Sequence, residues 1–186
     1  MRFYHLTVLL SALAVFTSDA QADNINFNLK NRAFSVEYSH QPMEANASFS
    51  GALLHHTDNG DMLSGRFRIE QSLYDLNTDL IAGIGARLLY IDANSIDGAA
   101  LGLSASLRYN LPANDKFSFA TTVDYAPGVV SFIDLEKFIS AEATASYQLI
   151  DHANAFIGTR YIRTTFTGTD AVTFDSGVFF GISVDL

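Results

Sequence analysis

Ten ionisable side chains stand out by type and spacing: Arg66, Arg68, Arg87, Arg108 and Arg160, together with Glu37, Glu70, Asp79, Asp124 and Glu142. Each falls on the polar side of an alternating apolar/polar segment, and its polar neighbours are mostly Gly, Ser or Thr, never Lys. Guanidinium groups pair with carboxylates through a planar fork, and such pairs are needed where charge is withdrawn from water. Small neighbours leave room for long arginines in a confined space, whereas a solvated surface has no need of them and ordinarily includes lysine. The pattern therefore reads as a charge ladder lining a narrow interior.

Other clusters are weaker candidates for chemistry. His55, His56 and Asp58 adjoin a turn, but adjacent strand residues point to opposite faces, which is poor geometry for one metal ion. Asp58-Asn59-Gly60-Asp61 lacks the later glutamate of a calcium loop and is explained by a hairpin, since Asn-Gly tolerates positive φ. Ser39-His40 are neighbours on opposite faces, unsuited to a nucleophile and its base, and His152 sits at a turn. Asp92, Asp97, Asp134, Glu136, Asp170 and Asp175 read as a solvated acidic rim able to attract divalent ions. No catalytic group, metal or cofactor is expected.

The elements that hold the ladder are strands. The C-terminal stretch alternates through Val178, Phe180, Ile182, Val184 and Leu186, with Phe179 the one exception. The same period of two recurs in Leu63/Phe67/Ile69 against Arg66/Arg68/Glu70, in Ile84/Leu88/Tyr90 against Arg87, and in Leu101/Leu103/Leu107/Tyr109 against Ser104/Ser106/Arg108. It continues in Phe117 to Tyr125 and Ile139 to Leu149, with Pro127 to Lys137 as the longest linker, and in Ala155 to Tyr161. Such alternation marks strands with one apolar face. No segment approaches the ~20 consecutive apolar residues of a spanning helix.

The apolar faces can point to a core or to lipid. Tyr90, Tyr125 and Tyr161 finish strands running one way, Tyr109 and Tyr147 finish strands running the other, and Phe117 begins one. All six lie on apolar faces, giving the two aromatic girdles of a membrane barrel. A soluble lipocalin-type barrel, apolar inside, is the alternative and leaves both girdles and ladder unexplained.

Residues 1–22 read as a secretory signal peptide: Arg2 and His5, an apolar run Leu6 to Phe16, and Ala20-Gln21-Ala22 before the cleavage point. Residues 23–186 then form one domain. The formal net charge of −9 argues against nucleic acid as a partner, and the absence of cysteine removes disulfides and a lipoprotein anchor. Eight strands run from Ala45 to Leu186, and two shorter pieces precede them around Ile25 to Leu29 and Phe34 to Tyr38. An even count with both ends periplasmic favours ten strands over eight plus an N-terminal arm.

Ser50-Gly51 leading to His56-Thr57-Asp58-Asn59-Gly60-Asp61, Tyr125-Ala126-Pro127 at a strand end, and Gly158-Thr159-Arg160-Tyr161 near the C-terminus together resemble the YfaZ family of small outer-membrane proteins. The sequence departs from that pattern at Ser146, where an arginine is expected, and at Leu186, where outer-membrane strands usually end on an aromatic. The resemblance implies an outer-membrane barrel, sometimes described as a porin, and no established reaction.

The expected fold is thus all-β, an up-and-down antiparallel transmembrane β-barrel in the bacterial outer membrane. Its partners are membrane lipids and lipopolysaccharide, and the barrel assembly machinery through the C-terminal strand. Two functions remain open: a narrow passive channel with an Arg/acid-lined lumen, or a non-conducting structural or surface-interaction barrel whose lumen is plugged.

Overall fold

A computed structural model describes residues 22–42, 46–73, 79–93 and 96–186. All but the last residue of the expected signal peptide lies outside the described residues. The strands are β1 (Ala22–Lys30), β2 (Ala33–Gln41), β3 (Ala47–His56), β4 (Gly60–Ser72), β5 (Leu80–Ala93), β6 (Ile96–Asn110), β7 (Phe117–Ala126), β8 (Ser131–Ile133), β9 (Leu135–Ile150), β10 (Ala153–Phe166) and β11 (Val172–Asp185).

Every long strand pairs antiparallel with its neighbours, and β1 pairs with β11 in the register Asn24↔Asp185 to Leu29↔Phe180. With β5–β6 also paired, ten long strands close into an antiparallel barrel and β8 is a short addition. Closure matters because it leaves no open edge to hydrogen-bond, the condition for crossing lipid. The two N-terminal pieces, short in the sequence reading, are full wall strands of nine residues each. The eight-strand alternative is not supported.

The expected linker after Pro127 is ordered rather than open. A 3-10 turn at Gly128–Val130 leads into β8, which pairs with β6 at Gly98↔Ile133 to Ala100↔Ser131. Lower down, β6 pairs with β7 instead, so β8 fills the place beside β6 that the end of β7 leaves. Strand β9 consequently begins at Leu135, inside the expected linker.

The start of β1 and the end of β11 lie at one rim, the terminal rim, where the Leu186 amide donates to the Asp23 carbonyl at 2.9 Å. At the far rim, the β3–β4 hairpin turns through Gly60, whose φ of +98° and approach to the Asp92 carbonyl exclude a side chain. Asn59 Nδ2 donates to the Phe174 carbonyl at 2.5 Å, tying this hairpin to β11. The amide of Thr167 donates to Asp134 O at 2.7 Å, and that of Asp134 to Asp97 O at 3.3 Å. These bonds draw the far-rim connections together.

Alternation sets two faces. Phe67, Ile84, Leu88, Leu103, Ile157, Phe180 and Ile182 are 40–69% exposed on the outside. Met62, Ser64, Arg87, Leu89, Ile91, Ser104, Asp124, Arg160 and Ile162 are buried inside. The terminal-strand exception, Phe179, follows the same rule. It belongs to the inward set with Gly177 and Gly181, and is 2% exposed. Its ring fits above Gly158, where a Cβ would come within 2.4 Å of it. Phe156 fits similarly above Gly181, and the two rings meet edge-on at 6.2 Å.

Candidate functional site

The candidate site is the barrel interior, which divides along its axis into three zones. Toward the far rim, Leu54, Met62, Leu89, Ile91, Ala100, Ala126, Leu135, Phe138, Ile162, Phe166 and Phe174 pack into one buried cluster. Ile91 and Phe138 are 0% exposed and Ile162 is 1%. These side chains come from six of the long strands on β3–β6 and β9–β10, with β7 and β11 adding Ala126 and Phe174. Phe174 can join because a register shift between Ile162 and Arg163 lets β11 turn both Phe174 and Asp175 inward.

Beneath this apolar layer lies the charge zone. Arg87 on β5 donates through Nη1 to Asp124 Oδ2 at 2.5 Å and through Nη2 to Ser64 Oγ at 3.1 Å, and its guanidinium lies 5.3 Å from the Phe138 ring centroid. Arg66 on β4 reaches the same Asp124 oxygen at 3.2 Å and Glu37 on β2 at 3.3 Å. Arg160 on β10 donates through Nε to Glu142 Oε2 at 2.7 Å, lies 3.7 Å from Asp175 Oδ2 and covers the Phe179 ring at 4.7 Å. Arg68 Nε stands 3.4 Å from Glu70 Oε1, which also accepts from Ser48 Oγ at 2.9 Å. The inner wall thus joins β2, β4, β5, β7, β9 and β10 by ion pairs across the lumen. Pairs of this kind have anions and cations within hydrogen-bond reach, as buried charge requires.

Two ladder residues lie nearer the terminal rim than the central ion pairs. Arg108 lines the interior close to the terminal rim, is exposed, and forms no ion pair among the described residues. Asp79 lies in the turn just before β5, where its carbonyl accepts from the Asn110 amide at 3.0 Å.

Two residues enter the charge zone that the sequence reading left out. Asp175, expected on a solvated rim, is instead 2% exposed inside the barrel, 2.5 Å from Lys30 Nζ. Lys30 also donates to the Ser176 carbonyl. Nothing in an alternating pattern signals this, because the β11 bulge shifts Asp175 to the inner face. The other rim acids, Asp92, Asp97, Asp134, Glu136 and Asp170, are exposed.

The third zone is a polar vestibule of about 540 Å³. It runs from Asp23, Asn110, Asp185 and Leu186 at the terminal rim to Leu54, Met62 and Ile162 under the apolar layer. Its walls carry Arg66, Arg68 and Arg108 on one side and Asn24, Asn28 and Glu37 on another. At its mouth His40 Nδ1 lies 2.6 Å from Asp23 Oδ1. At the far rim His55 pairs with Asp61 at 2.6 Å, whereas His56 turns to the opposite face, 6.4 Å from the Phe174 ring centroid.

Outside, Tyr90, Tyr125 and Tyr161 project toward the far rim and are 40–41% exposed. Toward the terminal rim the Phe117 and Tyr147 rings meet in a tilted contact at 4.7 Å between centroids, on the same face as Tyr109, which pairs with Phe119. Between these levels the exposed surface is apolar: Phe49, Phe67, Ile84, Leu103, Val123, Ile157 and Phe180. A closed barrel with an apolar outer band and buried charge inside turns that band to lipid, and the chain is accordingly an outer-membrane barrel.

Among solved structures, the KdgM porin aligns at TM-score 0.47 and 10% identity, covering 89% of this chain and 99% of that one. The NanC porin aligns at TM-score 0.49 and 9% identity, covering 90% and 99% respectively. The outer-membrane channel DcaP of Acinetobacter baumannii aligns at 0.48 and 11% identity, covering 87% of this chain and 54% of that one. No curated protein matches the chain. The family model described as YfaZ precursor matches residues 1–186, the full length, and the chain belongs to that family.

Proposed function

We propose that the protein is a non-conducting outer-membrane barrel, closed toward the cell exterior and open toward the periplasm as a blind polar vestibule. Of the two functions the sequence leaves open, the geometry favours the second. The observation that carries it is the apolar layer spanning the far half of the lumen, in which Ile91 and Phe138 are 0% and Phe174 is 2% exposed. A conducting path needs water along its length, and a constriction filled by packed aromatic and aliphatic side chains excludes it. A narrow passive channel would require Phe138, Phe174 and Leu89 to leave the axis together.

The charge zone holds this lid from below. Arg87 contacts both Asp124 and the face of Phe138, so the ion pairs and the apolar layer restrain one another. The ladder thus acts as a cross-brace rather than an ion track. The terminal rim is assigned to the periplasm because barrels of this type keep both ends there, after removal of the leader following Ala22.

At the far rim, Lys137 and Arg163 are exposed on neighbouring strands beside Tyr125 and Tyr161, and Lys137 Nζ lies 5.7 Å from the Tyr125 centroid. Cations just beyond an aromatic girdle sit at headgroup depth, where lipopolysaccharide phosphates are the complementary partners. The C-terminal strand ending at Leu186 is the segment offered to the assembly machinery.

Planar-bilayer recording of the mature barrel tests this reading. Electrical silence is expected up to voltages that rupture the membrane, and stable unitary currents in the unmodified protein would refute it.

A further inference from the structure

Three arginines, Arg66, Arg68 and Arg108, gather on one wall of the vestibule, and the carboxylates around them are shared unevenly. Glu37 and Asp124 are committed to Arg66 and Arg87, Glu142 to Arg160, and Asp175 to Lys30. Arg68 is left with Glu70 at 3.4 Å, an oxygen already bonded to Ser48, and Arg108 has no ion pair among the described residues. The Nε atoms of Arg66 and Arg68 are buried without a hydrogen-bond partner. Arg66 and Arg108 lie close enough to repel Arg68, while Glu70 and Glu37 attract it. On β5, between β4 and β6, the inward positions opposite Arg68 and Glu70 are Gly85 and Gly83. A Cβ at Gly83 would come within 2.5 Å of Ser106 Oγ and 3.1 Å of Glu70 Cγ, and one at Gly85 within 1.8 Å of the Phe67 carbonyl, so these glycines let the neighbouring strands and side chains close in.

Three guanidinium groups beside the β5 glycines, Arg108 among them without an ion pair among the described residues, form an incomplete set of charge-assisted donors. We infer that Arg68 and Arg108, backed by Arg66, form a binding site for a small soluble oxyanion, a polycarboxylate or phosphate, entering from the terminal rim. A planar fork meets a carboxylate or phosphate through two parallel hydrogen bonds, and an anion here would supply the partner that the exposed Arg108 lacks. The cavity, about 540 Å³, is of the size that small-molecule sites have, roughly 300–1,000 Å³. The inference rests on the blind-vestibule reading, because a through-channel would pass the anion rather than retain it. The binding readout is independent of current, so failure of one is distinguishable from failure of the other.

The test is a titration of the mature barrel, labelled with ¹⁵N-arginine, in micelles of an uncharged detergent. Inorganic phosphate forms one arm, citrate a second, and phosphatidylglycerol doped into the micelles a third. In the two soluble arms the Arg68 and Arg108 Nε–H signals are expected to shift saturably and with one affinity. The signal of Arg32, exposed at the far rim, should follow only ionic strength. R108Q should weaken binding by about tenfold, the worth of one charge-assisted contact. R108K, which retains the charge without the fork, should fall between the two and serves should R108Q fail to fold. Absence of a saturable shift, unchanged affinity in R108Q or R108K, or a shift confined to the phosphatidylglycerol arm overturns the proposal.

Discussion

The sharpest stability prediction concerns Asp124, because a single carboxylate serves two buried guanidinium groups. It is 1% exposed, 2.5 Å from Arg87 and 3.2 Å from Arg66. In Asp124→Asn the side chain keeps its shape and loses its charge. Arg66 retains Glu37 at 3.3 Å, but Arg87, 3% exposed, loses its only ion-pair partner among the described residues and keeps neutral acceptors alone, the new amide oxygen, Ser64 Oγ at 3.1 Å and the Met62 sulfur. An uncompensated buried charge costs about 3–5 kcal/mol when its partner is removed. Glu37→Gln makes the useful comparison: Arg66 then keeps Asp124, and the Glu37 side chain is 25% exposed, so the loss should be only about 1 kcal/mol. The assay is equilibrium urea unfolding in lipid vesicles, followed by circular dichroism and by heat-modifiable gel migration. The double variant Arg87→Met/Asp124→Leu should recover most of the loss, since apolar groups of similar volume extend the layer formed by Phe138 and Met62. Asp124→Asn costing no more than Glu37→Gln would refute the reasoning that these charges act as a cross-brace.

Other outcomes follow from the two faces and from close packing. Phe138→Ala should destabilise by about 3–5 kcal/mol in the same unfolding assay, as deletion of a fully buried ring does. An effect under about 1 kcal/mol would mean that the layer is loosely filled. Leu103→Arg, which places a cation mid-strand on the lipid side, should cost about 2–4 kcal/mol in bilayers. Gly158→Ala pushes a methyl group to 2.4 Å from the Phe179 ring and should cost about 1–3 kcal/mol, whereas Gly51→Ala, with open space around it, should be near neutral. Lys137→Gln/Arg163→Gln should weaken lipopolysaccharide binding by about 1 kcal/mol per cation at low salt, measured by titration in uncharged detergent.

Strand number and the outer face were legible because lipid imposes the same rule on every strand: apolar at each second position across the bilayer. Leu101, Leu103 and Leu107 carry that rule plainly, as do Phe180 and Ile182. The apolar layer inside was harder to see. Leu89 and Ile91 share the parity of Arg87, Met62 that of Ser64, and Ile162 that of Arg160, so the inner face changes from polar to apolar partway along one strand. The visible trace is loss of alternation near the far rim, as in Leu88-Leu89-Tyr90-Ile91, where both faces are apolar. Phe179 was the same signal in isolation. Asp175 and Lys30 escaped for a different reason: a bulge and a strand end place them, and neither leaves a periodic mark. Strand β8 is invisible for its length, three residues whose pairing depends on where β7 stops.

The chain lacks cysteine, so single thiols can report on the lumen without background. The most direct measurement is the rate at which a small charged thiosulfonate modifies Ser106→Cys in the vestibule and Ala100→Cys in the apolar layer, in micelles where the reagent reaches both rims. Fast reaction at position 106, with position 100 silent until the barrel unfolds, is the predicted result. Comparable rates at both positions would mean that water fills the lumen from rim to rim, contradicting a closed far half.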